Sequence, residues 1–598
     1  MRLGYLFEFS STPLFHGLVL DEKNYDAWAL RIAGGDLMGK GPFTANPFMP
    51  YLLGLFYAVV GHNLWFVRIV QAVIGSLTCL IVHGIAFRLF ERRAARLAML
   101  FGALYGPAIF LSANLVGETW AMFFAAAAIW IWIQPFGRPP RYVGAGFLFG
   151  LAILARPNMM AIMPFLPLAA TLARGSARGA EPAKRGLSWF AGVCLVLGPV
   201  AARNYAEGGE FVLITAHDGV NLWIGNNKDA DGFFKTPRGS GLAGGQESLI
   251  SSSIRVASRA EGRTLSPKES SRYWRKRALD FLIHNPRAAL TLELRKLAFY
   301  LNAFEKSLES NYYYGKRISL LLRTFALGFG FVGALGLAGM IAFAREIRRL
   351  AALYAYVLIY SGTVLMTFVS MRYRLPVIIG VLPFAGAFVS TLLDTIAEWK
   401  RSGPPKRLRS LAAILIGSLV VVNLPIAKAV QREDLAHTYY LLGNVAGDEK
   451  RYDDALRDYE KAVELYPDWH VPYNNLGLAH IRVGEPKKAI EALQRAVDLN
   501  AGTSRVYRNM GKAYEALGQK DDAIKAYEKA AARGPSQSRN WLLLGRALEQ
   551  AGRLEEARGR YAQGLERVKS EKGKQALRRA IQTLKRKARG RQGGEESE

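Results

Sequence analysis

Two adjacent carboxylates near the N-terminus are the residues best placed in this sequence to do chemistry. Asp21 and Glu22 stand in a run that also holds Lys23 and Asp26, just ahead of a very apolar part of the chain. A carboxylate pair beside a membrane can act as a general base, hold a metal ion or orient an acceptor hydroxyl. Acidic residues at a membrane boundary also occur as a solvated loop. The spacing alone leaves both interpretations open.

A third carboxylate and four arginines extend the candidate site. Glu118 begins an apolar segment, and an unpaired carboxylate at membrane depth is costly, so we expect it to have a partner, a metal ion or a function. Arginine presents a planar fork of donors to phosphate oxygens, which predicts an anionic, phosphorylated lipid as the ligand. The alternatives are a carboxylate in the headgroup layer and arginines that anchor helix ends to headgroups. The four arginines are Arg156, Arg203, Arg372 and Arg374.

Composition places these residues in a membrane protein. The 598 residues are 51% hydrophobic, with a mean hydropathy of +0.08 and a formal net charge of +30. Such a charge suits nucleic acid or a membrane, but much of the Lys and Arg lies in short loops between apolar runs, where it sets orientation. Nucleic acid is therefore not the expected partner. Cys79 and Cys194 lie inside apolar runs, so neither a disulfide framework nor a cysteine-based metal site is available.

Ten apolar segments predict a polytopic membrane bundle of the all-α class. A helix that crosses a bilayer needs about 20 apolar residues, and several of these segments are shorter. They are residues 64–90, 97–115, 118–135, 142–155, 157–173, 187–203, 319–344, 351–370, 375–396 and 410–427. No such segment follows residue 427, so a soluble part is expected after the membrane part.

Loop charges predict which side of the membrane each loop faces. One alternating set of short loops holds 18 Lys and Arg residues and the other holds only three, so the positive-inside rule places the first set in the cytoplasm. The acidic run, the long loop of residues 204–318 and everything after Lys428 are then outside. The acidic run needs a preceding span to carry it there. We expect that span upstream of this sequence or in degenerate form within residues 3–20.

Seven short motifs in order along the chain resemble the polytopic glycosyltransferases of the C superfamily (GT-C). The most similar branch is the bacterial one that resembles protein O-mannosyltransferases and aminoarabinose transferases, of the family 39 type. The resemblance covers most of residues 21–396, and it departs at the front, where a clear first span should precede the acidic loop. The motifs are Asp21-Glu22 with Tyr25 and Trp28, residues 46–50 (Asn-Pro-Phe-Met-Pro), Glu118, residues 150–157 (Gly-Leu-Ala-Ile-Leu-Ala-Arg-Pro), 203–205 (Arg-Asn-Tyr), 221–227 (Asn-Leu-Trp-Ile-Gly-Asn-Asn) and 372–376 (Arg-Tyr-Arg-Leu-Pro).

The resemblance implies transfer of a sugar from a polyprenyl-phosphate donor on the extracytoplasmic face, with inversion and without a nucleotide sugar. Such proteins carry a functional carboxylate in the first outer loop. That position falls on Asp21, as base or acceptor-orienting group, with Glu22 beside it, and Glu118 matches the second acidic position. The implied binding residues for lipid phosphate or sugar are Tyr25, Arg156, Arg203, Asn226, Arg372 and Arg374. No cofactor is named by the resemblance, and a divalent metal ion stays open.

The loop of residues 204–318 is too long for a simple connector. Its aromatic and amide groups, at residues 221–227, 232–234 and 312–314, suit a sugar but equally suit a packed cap over the site. Residues 248–271 are rich in serine and predict a mobile or solvated helix pair. Glu309 and Asn311 are weaker candidates for the same cavity.

An internal period of 34 residues marks the soluble part of the chain. The dipeptide Leu442-Gly443 recurs as Leu or Met with Gly at 476–477, 510–511 and 544–545, and Ala455 recurs at 489, 523 and 557. Small residues at these positions let paired helices approach closely, which predicts four tetratricopeptide repeats. Such a solenoid offers a concave face to an extended peptide or another protein.

Together these patterns predict a bacterial inner-membrane glycosyltransferase with its active site and repeats outside. Its partners would be a polyprenyl-phosphate-linked sugar, an acceptor protein, lipid or glycan, and a protein bound by the repeats. Two other classes stay open: a non-catalytic membrane scaffold, and a transporter of polyprenyl-linked lipid or polysaccharide, which the lack of buried acid relays disfavours. The expected parts are an outer loop with interfacial helices (1–63), a bundle (64–203), a loop domain (204–318), further spans (319–427), repeats (428–571), and a basic capping helix with a disordered tail (572–598).

Overall fold

The computed structural model of the protein describes residues 1–134, 139–173, 181–237, 240–242, 246–308, 311–403, 405–499 and 501–595. Across these ranges the chain forms helices and no strand, with one isolated bridge between Tyr105 and Leu327. The predicted all-α class is confirmed. Two compact units are present, Met1–Gln431 and Arg432–Glu598. The weaker candidate Glu309 and three of the loop cations used for orientation, Arg138, Arg174 and Arg178, lie outside the described residues.

The first unit consists of helices of very different length. In its first half these are α1 (Arg2–Ser10), α2 (Pro13–His16), α3 (Leu20–Ala33), α4 (Phe48–Val60), α5 (Leu64–Leu89), α6 (Arg92–Leu104), α7 (Gly106–Leu111), α8 (Glu118–Ile133), α9 (Pro139–Ala155), the 3-10 helix η1 (Pro157–Ile162), α10 (Phe165–Ala173) and α11 (Glu181–Gly208). In its second half they are α12 (Asp218–Gly225), α13 (Gln246–Ala260), α14 (Pro267–His284), α15 (Pro286–Leu301), α16 (Tyr312–Ile318), α17 (Leu320–Phe325), α18 (Phe329–Ala342), η2 (Ala344–Glu346), α19 (Ala351–Leu365), α20 (Met371–Arg374), η3 (Leu375–Val377), α21 (Ile378–Ser402) and α22 (Lys406–Val422).

Three helical stretches are long and apolar enough to cross a membrane, Leu64–Leu89, Pro182–Gly208 and Met371–Arg401. Shorter apolar helices accompany them: Phe48–Val60, Glu118–Ile133, Pro139–Ala155, Phe329–Ala342 and Ala351–Leu365. The protein therefore has the helices of a membrane protein, as its composition predicts. Several predicted segments are shorter in the structure than a full bilayer span.

Two of the predicted segments are broken at one shared point. The amide of Gly106 donates to the carbonyl of Leu327 at 2.9 Å, and the amide of Leu327 donates to the carbonyl of Leu104 at 2.8 Å. These bonds replace helical ones, so residues 97–115 divide into α6 and α7, and residues 319–344 divide into α17 and α18. Unwound backbone of this kind is tolerated at membrane depth where it is buried in protein.

The N-terminal segment forms two short helices rather than one degenerate span. Helix α1 has nine residues and α2 has four, and Pro13 lies at the first turn of α2. Tyr5 and Phe9 are buried, and the Tyr5 ring lies 6.1 Å from that of Phe110. The segment thus packs against the bundle directly before the acidic residues of α3.

The second unit pairs its helices in the predicted repeat pattern. The pairs are α23 (Lys428–Asp448) with α24 (Tyr452–Leu465), α25 (His470–Val483) with α26 (Pro486–Asp498), α27 (Ser504–Ala516) with α28 (Lys520–Arg533), and α29 (Ser538–Gln550) with α30 (Leu554–Arg567), followed by α31 (Glu571–Glu595). A β-carbon on Gly443 would lie 2.6 Å from the Tyr459 ring, and one on Gly477 would lie 2.6 Å from Leu493. The period of 34 therefore repeats a contact that only glycine permits. Residues 596–598, the end of the predicted tail, lie outside the described part of the chain.

One carboxyl group in the repeats predicts a pH-dependent stability. Burial raises the pKa of Asp458 in α24 to about 6, and nearby Asp454 acts in the same direction while Arg457 opposes it. The folded state favours the protonated acid. The contribution of Asp458 to the free energy of unfolding is therefore fully present below its ordinary pKa near 3.8 and is lost as the pH rises through about 6. A shift of this size corresponds to at most about 3 kcal/mol, which partial exposure reduces to about 1 kcal/mol.

We therefore expect Asp458→Asn to stabilise helix α24 at pH 7.5 and not at pH 4. The measurement is hydrogen–deuterium exchange of its amides in the full chain, compared with wild type at each pH. A gain in stability of about 1 kcal/mol corresponds to roughly fivefold slower exchange. The control is Glu460→Gln, an exposed carboxylate on the same helix, which should leave exchange unchanged. Equal effects of Asp458→Asn at both pH values would contradict the assignment.

Candidate active site

Four charged side chains from different parts of the first unit meet in one cluster, here called the ion cluster: Asp21, Glu118, Arg156 and Arg372. Each lies where a helix begins or ends. Asp21 is in the first turn of α3, Glu118 is the first residue of α8, Arg156 links α9 to η1, and Arg372 is in α20. All four were predicted for the site. The structure brings them together across 351 residues of sequence.

Arg372 joins the two carboxylates. Its Nη1 donates to Oδ2 of Asp21 at 2.8 Å, and its Nε donates to Oε1 of Glu118 at 2.5 Å. Arg156 pairs with the same oxygen of Glu118, and its guanidinium lies 4.6 Å from the centre of the Tyr373 ring. The formal charges of the four residues cancel. Ion pairs this deep are stable only when each charge is compensated, so removing Glu118, the shared partner of both arginines, leaves a buried charge without a partner.

The two carboxylates of the ion cluster differ in exposure, and each has one oxygen without a hydrogen-bond partner among the described residues. The side chain of Glu118 is fully buried and that of Asp21 is 18% exposed. Among the described residues, Oε2 of Glu118 has no hydrogen-bond partner and Oδ1 of Asp21 has none. Asp21 is therefore the carboxylate that a molecule from outside can reach. Tyr25, one helical turn further along α3, is buried beside it.

Glu22 binds a backbone turn and forms no ion pair with the cluster among the described residues. Its Oε1 accepts a hydrogen bond from the amide of Leu115 at 2.9 Å. Burial raises the pKa of Glu22, while the nearby guanidinium of Arg68 and the Leu115 amide act in the opposite direction. The structure thus separates the two adjacent acids: Asp21 lies in the cluster, and Glu22 lies beneath the turn that leads to Glu118.

Two polar residues of α5 fix that turn, and the sequence interpretation missed both. Arg68 donates to the carbonyls of Ala113 and Phe15, each at 2.8 Å. Gln71, one helical turn later, donates to the carbonyls of Ser112 at 3.0 Å and Asn114 at 2.7 Å. Residues 112–117 are therefore held by α5 in the conformation that starts α8 at Glu118. A charged residue and an amide three positions apart in an apolar helix were the signal that could have revealed them.

Arg203 lies outside the ion cluster and contacts the loop that follows α3. Its Nε donates to the carbonyl of Met38 at 2.8 Å, its Nη1 donates to that of Gly41 at 2.6 Å, and its guanidinium lies 3.9 Å from the Phe43 ring centre. The next residue, Asn204, accepts from the amide of Phe43 at 2.9 Å. The two residues bind the loop after α3 to the end of α11.

Arg374 and Asn226 also have protein partners. Arg374 pairs with Glu305 at 2.6 Å and donates to the carbonyls of Tyr300 and Asn302. Asn226 accepts from Nζ of Lys296 at 2.9 Å. Both residues are almost fully buried. They hold the loop domain against α19 and α20, which is a positioning role for the segment that carries Arg372.

His217 is a further titratable group near Asp21 that the sequence interpretation did not single out. It caps the start of α12, and its Nδ1 is buried without a partner among the described residues. Burial lowers the pKa of His217, while Asp218 and Asp21 act in the opposite direction. We therefore expect a neutral imidazole beside Asp21 at neutral pH.

A metal ion has no evident ligand set here. No group of three or more His, Cys, Asp and Glu residues comes together within the described parts of the chain. The carboxylates of the ion cluster already pair with arginines.

Comparison with known proteins finds different family models in the two units. Residues 41–200 match the family model described as dolichyl-phosphate-mannose-protein mannosyltransferase. This confirms the predicted resemblance. The chain carries a mannosyltransferase-type region. That region includes Glu118 and Arg156, while Asp21 and Arg372 lie outside the matched range. A match over about a quarter of the chain thus supports a membrane part of the glycosyltransferase type.

The second unit matches two tetratricopeptide-repeat family models, one at residues 434–501 and 471–536 and the other at 508–568. A 44-residue stretch is 50% identical to the Hsp70-Hsp90 organizing protein of Triticum aestivum, which amounts to 7% of this chain and 8% of that protein. Among solved structures, a MamA protein is 28% identical over 30% of this chain and 92% of its own, with a TM-score of 0.22. A thermophilic tetratricopeptide-repeat protein of Thermus thermophilus is 18% identical over 33% of this chain and 98% of its own, with a TM-score of 0.23. The predicted repeats are confirmed by the family models.

Proposed function

We propose that the protein is a membrane glycosyltransferase that moves a hexose or pentose from a polyprenyl-phosphate donor to a protein, lipid or glycan acceptor. The reaction would take place with inversion at the extracytoplasmic face of a bacterial inner membrane. The observation that carries the proposal is the position of Arg372 between Asp21 and Glu118. It combines a reachable carboxylate with buried cations beside a mannosyltransferase-type region.

In the proposed mechanism Asp21 is the base. Its open Oδ1 takes the proton of the acceptor hydroxyl while the acceptor oxygen attacks the anomeric carbon from the face opposite the phosphate. The bond between the anomeric carbon and the phosphate oxygen breaks, and polyprenyl phosphate leaves with the electron pair. Arg156 and Arg372 stabilise the charge that develops on the leaving phosphate. Glu118 pairs with both arginines and keeps them oriented.

The direct test is an assay of the purified full chain in membranes with a series of polyprenyl-phosphate sugars and nucleotide sugars. We expect turnover with at least one polyprenyl donor and none with a nucleotide sugar. Turnover that requires a nucleotide sugar, or its absence with every donor, would overturn the proposal. The configuration of the product at the anomeric carbon tests inversion in the same assay.

A second candidate function is a membrane scaffold that acts through its repeats. The repeat families at residues 434–568 favour it, because they mediate binding and carry no catalytic group of their own. A scaffold would keep its cellular function after Asp21 and Glu118 are both replaced and would lose it when the repeats are deleted. A transferase would lose its function after the first change as well.

The repeats supply a basic surface for a protein partner. Hydrogen bonds from Asn475 to Asn444 and from Asn509 to Asn474 connect α23, α25 and α27 along one face, called here the inner face. Lys512 lies on this face. Burial lowers the pKa of Lys512, as do the nearby cations Arg539, Arg482 and Arg508. We infer that the partner, such as the acceptor protein, presents an acidic extended segment to this face.

We expect the double variant Arg508→Gln with Lys512→Gln to weaken binding of an extended Glu- and Asp-rich peptide about tenfold or more. Two charge-assisted contacts of about 1 kcal/mol each account for that loss. The measurement is fluorescence anisotropy with the full chain at low and high salt. The control replaces Lys487 and Arg533, which lie on α26 and α28, and should change affinity little. Equal losses in both double variants would indicate general charge attraction and contradict a site on the inner face.

A further inference from the structure

A cavity of about 340 Å³ lies at the end of the first unit that is remote from the ion cluster. Its lining includes Phe90, directly after the end of α5, and residues of α21 near Asp394. Arg68, near the start of α5, supports the turn beside Glu118. Helix α5 has 26 residues and is therefore roughly 39 Å long, so the cavity and the ion cluster lie near opposite ends of the bundle.

The walls of this cavity carry two carboxylates with one oxygen each already engaged. Glu91 accepts a hydrogen bond from the hydroxyl of Ser390 through Oε1. Asp394 accepts from Arg93 through Oδ1 at 2.5 Å. The second oxygen of each carboxylate has no partner within the described ranges of the chain. Both oxygens are available to a donor that enters the cavity.

The two arginines of the cavity differ in whether they form an ion pair. Arg349 pairs with Glu346, and its guanidinium lies 5.6 Å from the centre of the Phe90 ring. Arg407 has no ion-pair partner among the described residues, and the hydroxyl of Thr391 beside it donates no hydrogen bond there. An arginine and a hydroxyl together match the oxygens of a phosphate group. Two carboxylates and two arginines leave the lining formally neutral.

The surroundings of the cavity are those of a lipid site. Phe90 and Phe343 form an apolar part of the lining. Near the cavity, Phe87 of α5 is 50% exposed and Leu393 of α21 is 46% exposed. Exposed apolar side chains next to a charged cavity suit a molecule with a polar head and apolar tails.

We propose that this cavity binds a phospholipid headgroup that contains both a phosphate and an amine. Arg407 and Thr391 bind the phosphate, and the open oxygens of Glu91 and Asp394 bind the ammonium. The four charged residues of the lining are exposed, so the argument for the amine is one of charge complementarity: a headgroup with phosphate alone would bring a further anion beside Glu91 and Asp394, and the repulsion between like charges opposes its binding. The proposal does not depend on sugar transfer, because the cavity lies at the end of the bundle away from Asp21.

The test is lipid retention by the purified full chain from bilayers that contain equal amounts of phosphatidylethanolamine and phosphatidylglycerol. We expect wild type to retain the ethanolamine lipid at least about fivefold over the glycerol lipid. The double variant Arg407→Gln with Thr391→Val should lose that preference. The matched control is Arg409→Gln, two residues along the same helix, which should keep it.

A second variant separates a binding effect from a folding effect. Glu91→Gln with Asp394→Asn removes the ammonium ligands but leaves Arg407, so retention should shift toward the glycerol lipid while total lipid stays within about twofold of wild type. Soluble phosphoethanolamine that displaces the lipid would identify the free compound as a source of the same chemistry, and lack of displacement would identify the lipid. Equal retention of both lipids by wild type, or an unchanged preference in the Arg407 and Thr391 variant, would overturn the proposal.

Discussion

Replacing Asp21 with Asn is expected to lower sugar transfer about 10²- to 10⁴-fold while the protein remains folded in the membrane. General-base catalysis contributes a factor of this size, and an amide cannot take the proton of the acceptor. The fold should survive because Asp21 is partly exposed and Arg372 keeps its bond to Glu118. The measurement is turnover of the purified full chain with a polyprenyl-phosphate sugar, together with its thermal unfolding.

The matched control is Asp26→Asn on the same helix. Asp26 accepts hydrogen bonds from Tyr57 at 2.6 Å and from His62 at 2.8 Å, away from the ion cluster. An amide oxygen can replace the carboxylate there, so we expect transfer within about threefold of wild type. A transfer rate that Asp21→Asn leaves unchanged, or that Asp26→Asn lowers equally, would remove Asp21 from the role of base.

Replacing Glu118 with Gln is expected to destabilise the first unit by about 3–5 kcal/mol. This is the usual cost of breaking a buried ion pair from one side, because a charge is then left in a low dielectric without compensation. Here two arginines, Arg156 and Arg372, lose their shared partner. Thermal or denaturant unfolding in a mild detergent measures the change, and transfer activity should fall with it.

A second substitution distinguishes electrostatics from packing. If the loss in Glu118→Gln comes from an uncompensated cation, then adding Arg156→Gln should restore part of the stability, although each single change is harmful. The double-mutant cycle should therefore give a coupling of about 1–3 kcal/mol between the two residues. Additive losses would show that the cluster does not act as one charge-balanced unit.

The sequence predicts the architecture well because both of its signals are periodic or compositional. Apolar segments identify the membrane part, and the 34-residue period identifies the repeats before any coordinates are known. The charge rule assigned Asp21, Glu118, Arg156 and Arg372 to one face, and the structure places those four in contact. Broken helices were not predictable, since the bond between Gly106 and Leu327 joins backbone groups that have no side-chain signature.

The lack of a side-chain signature also explains why some residues predicted for the site lie elsewhere in the structure. Arg203 and Arg374 have the charge that a phosphate site needs, but the backbone carbonyls that bind them in the structure cannot be recognised in a sequence. Arg68 and Gln71 were overlooked for the opposite reason. Each is a single polar residue within a long apolar run, and an average over that run conceals them. A polar residue inside an apolar helix is therefore a second signal, which finds the residues that support the site, whereas the charge pattern finds the site itself.

The glycine contacts of the second unit allow the number of repeats to change during evolution. Each contact lies within one repeat, as between Gly443 and Tyr459, so it does not depend on how many repeats precede or follow. Duplication or deletion of one 34-residue repeat would leave the glycine contacts of the other repeats intact. The length of partner that the solenoid covers can therefore vary by whole modules, while the membrane part with its ion cluster stays the same.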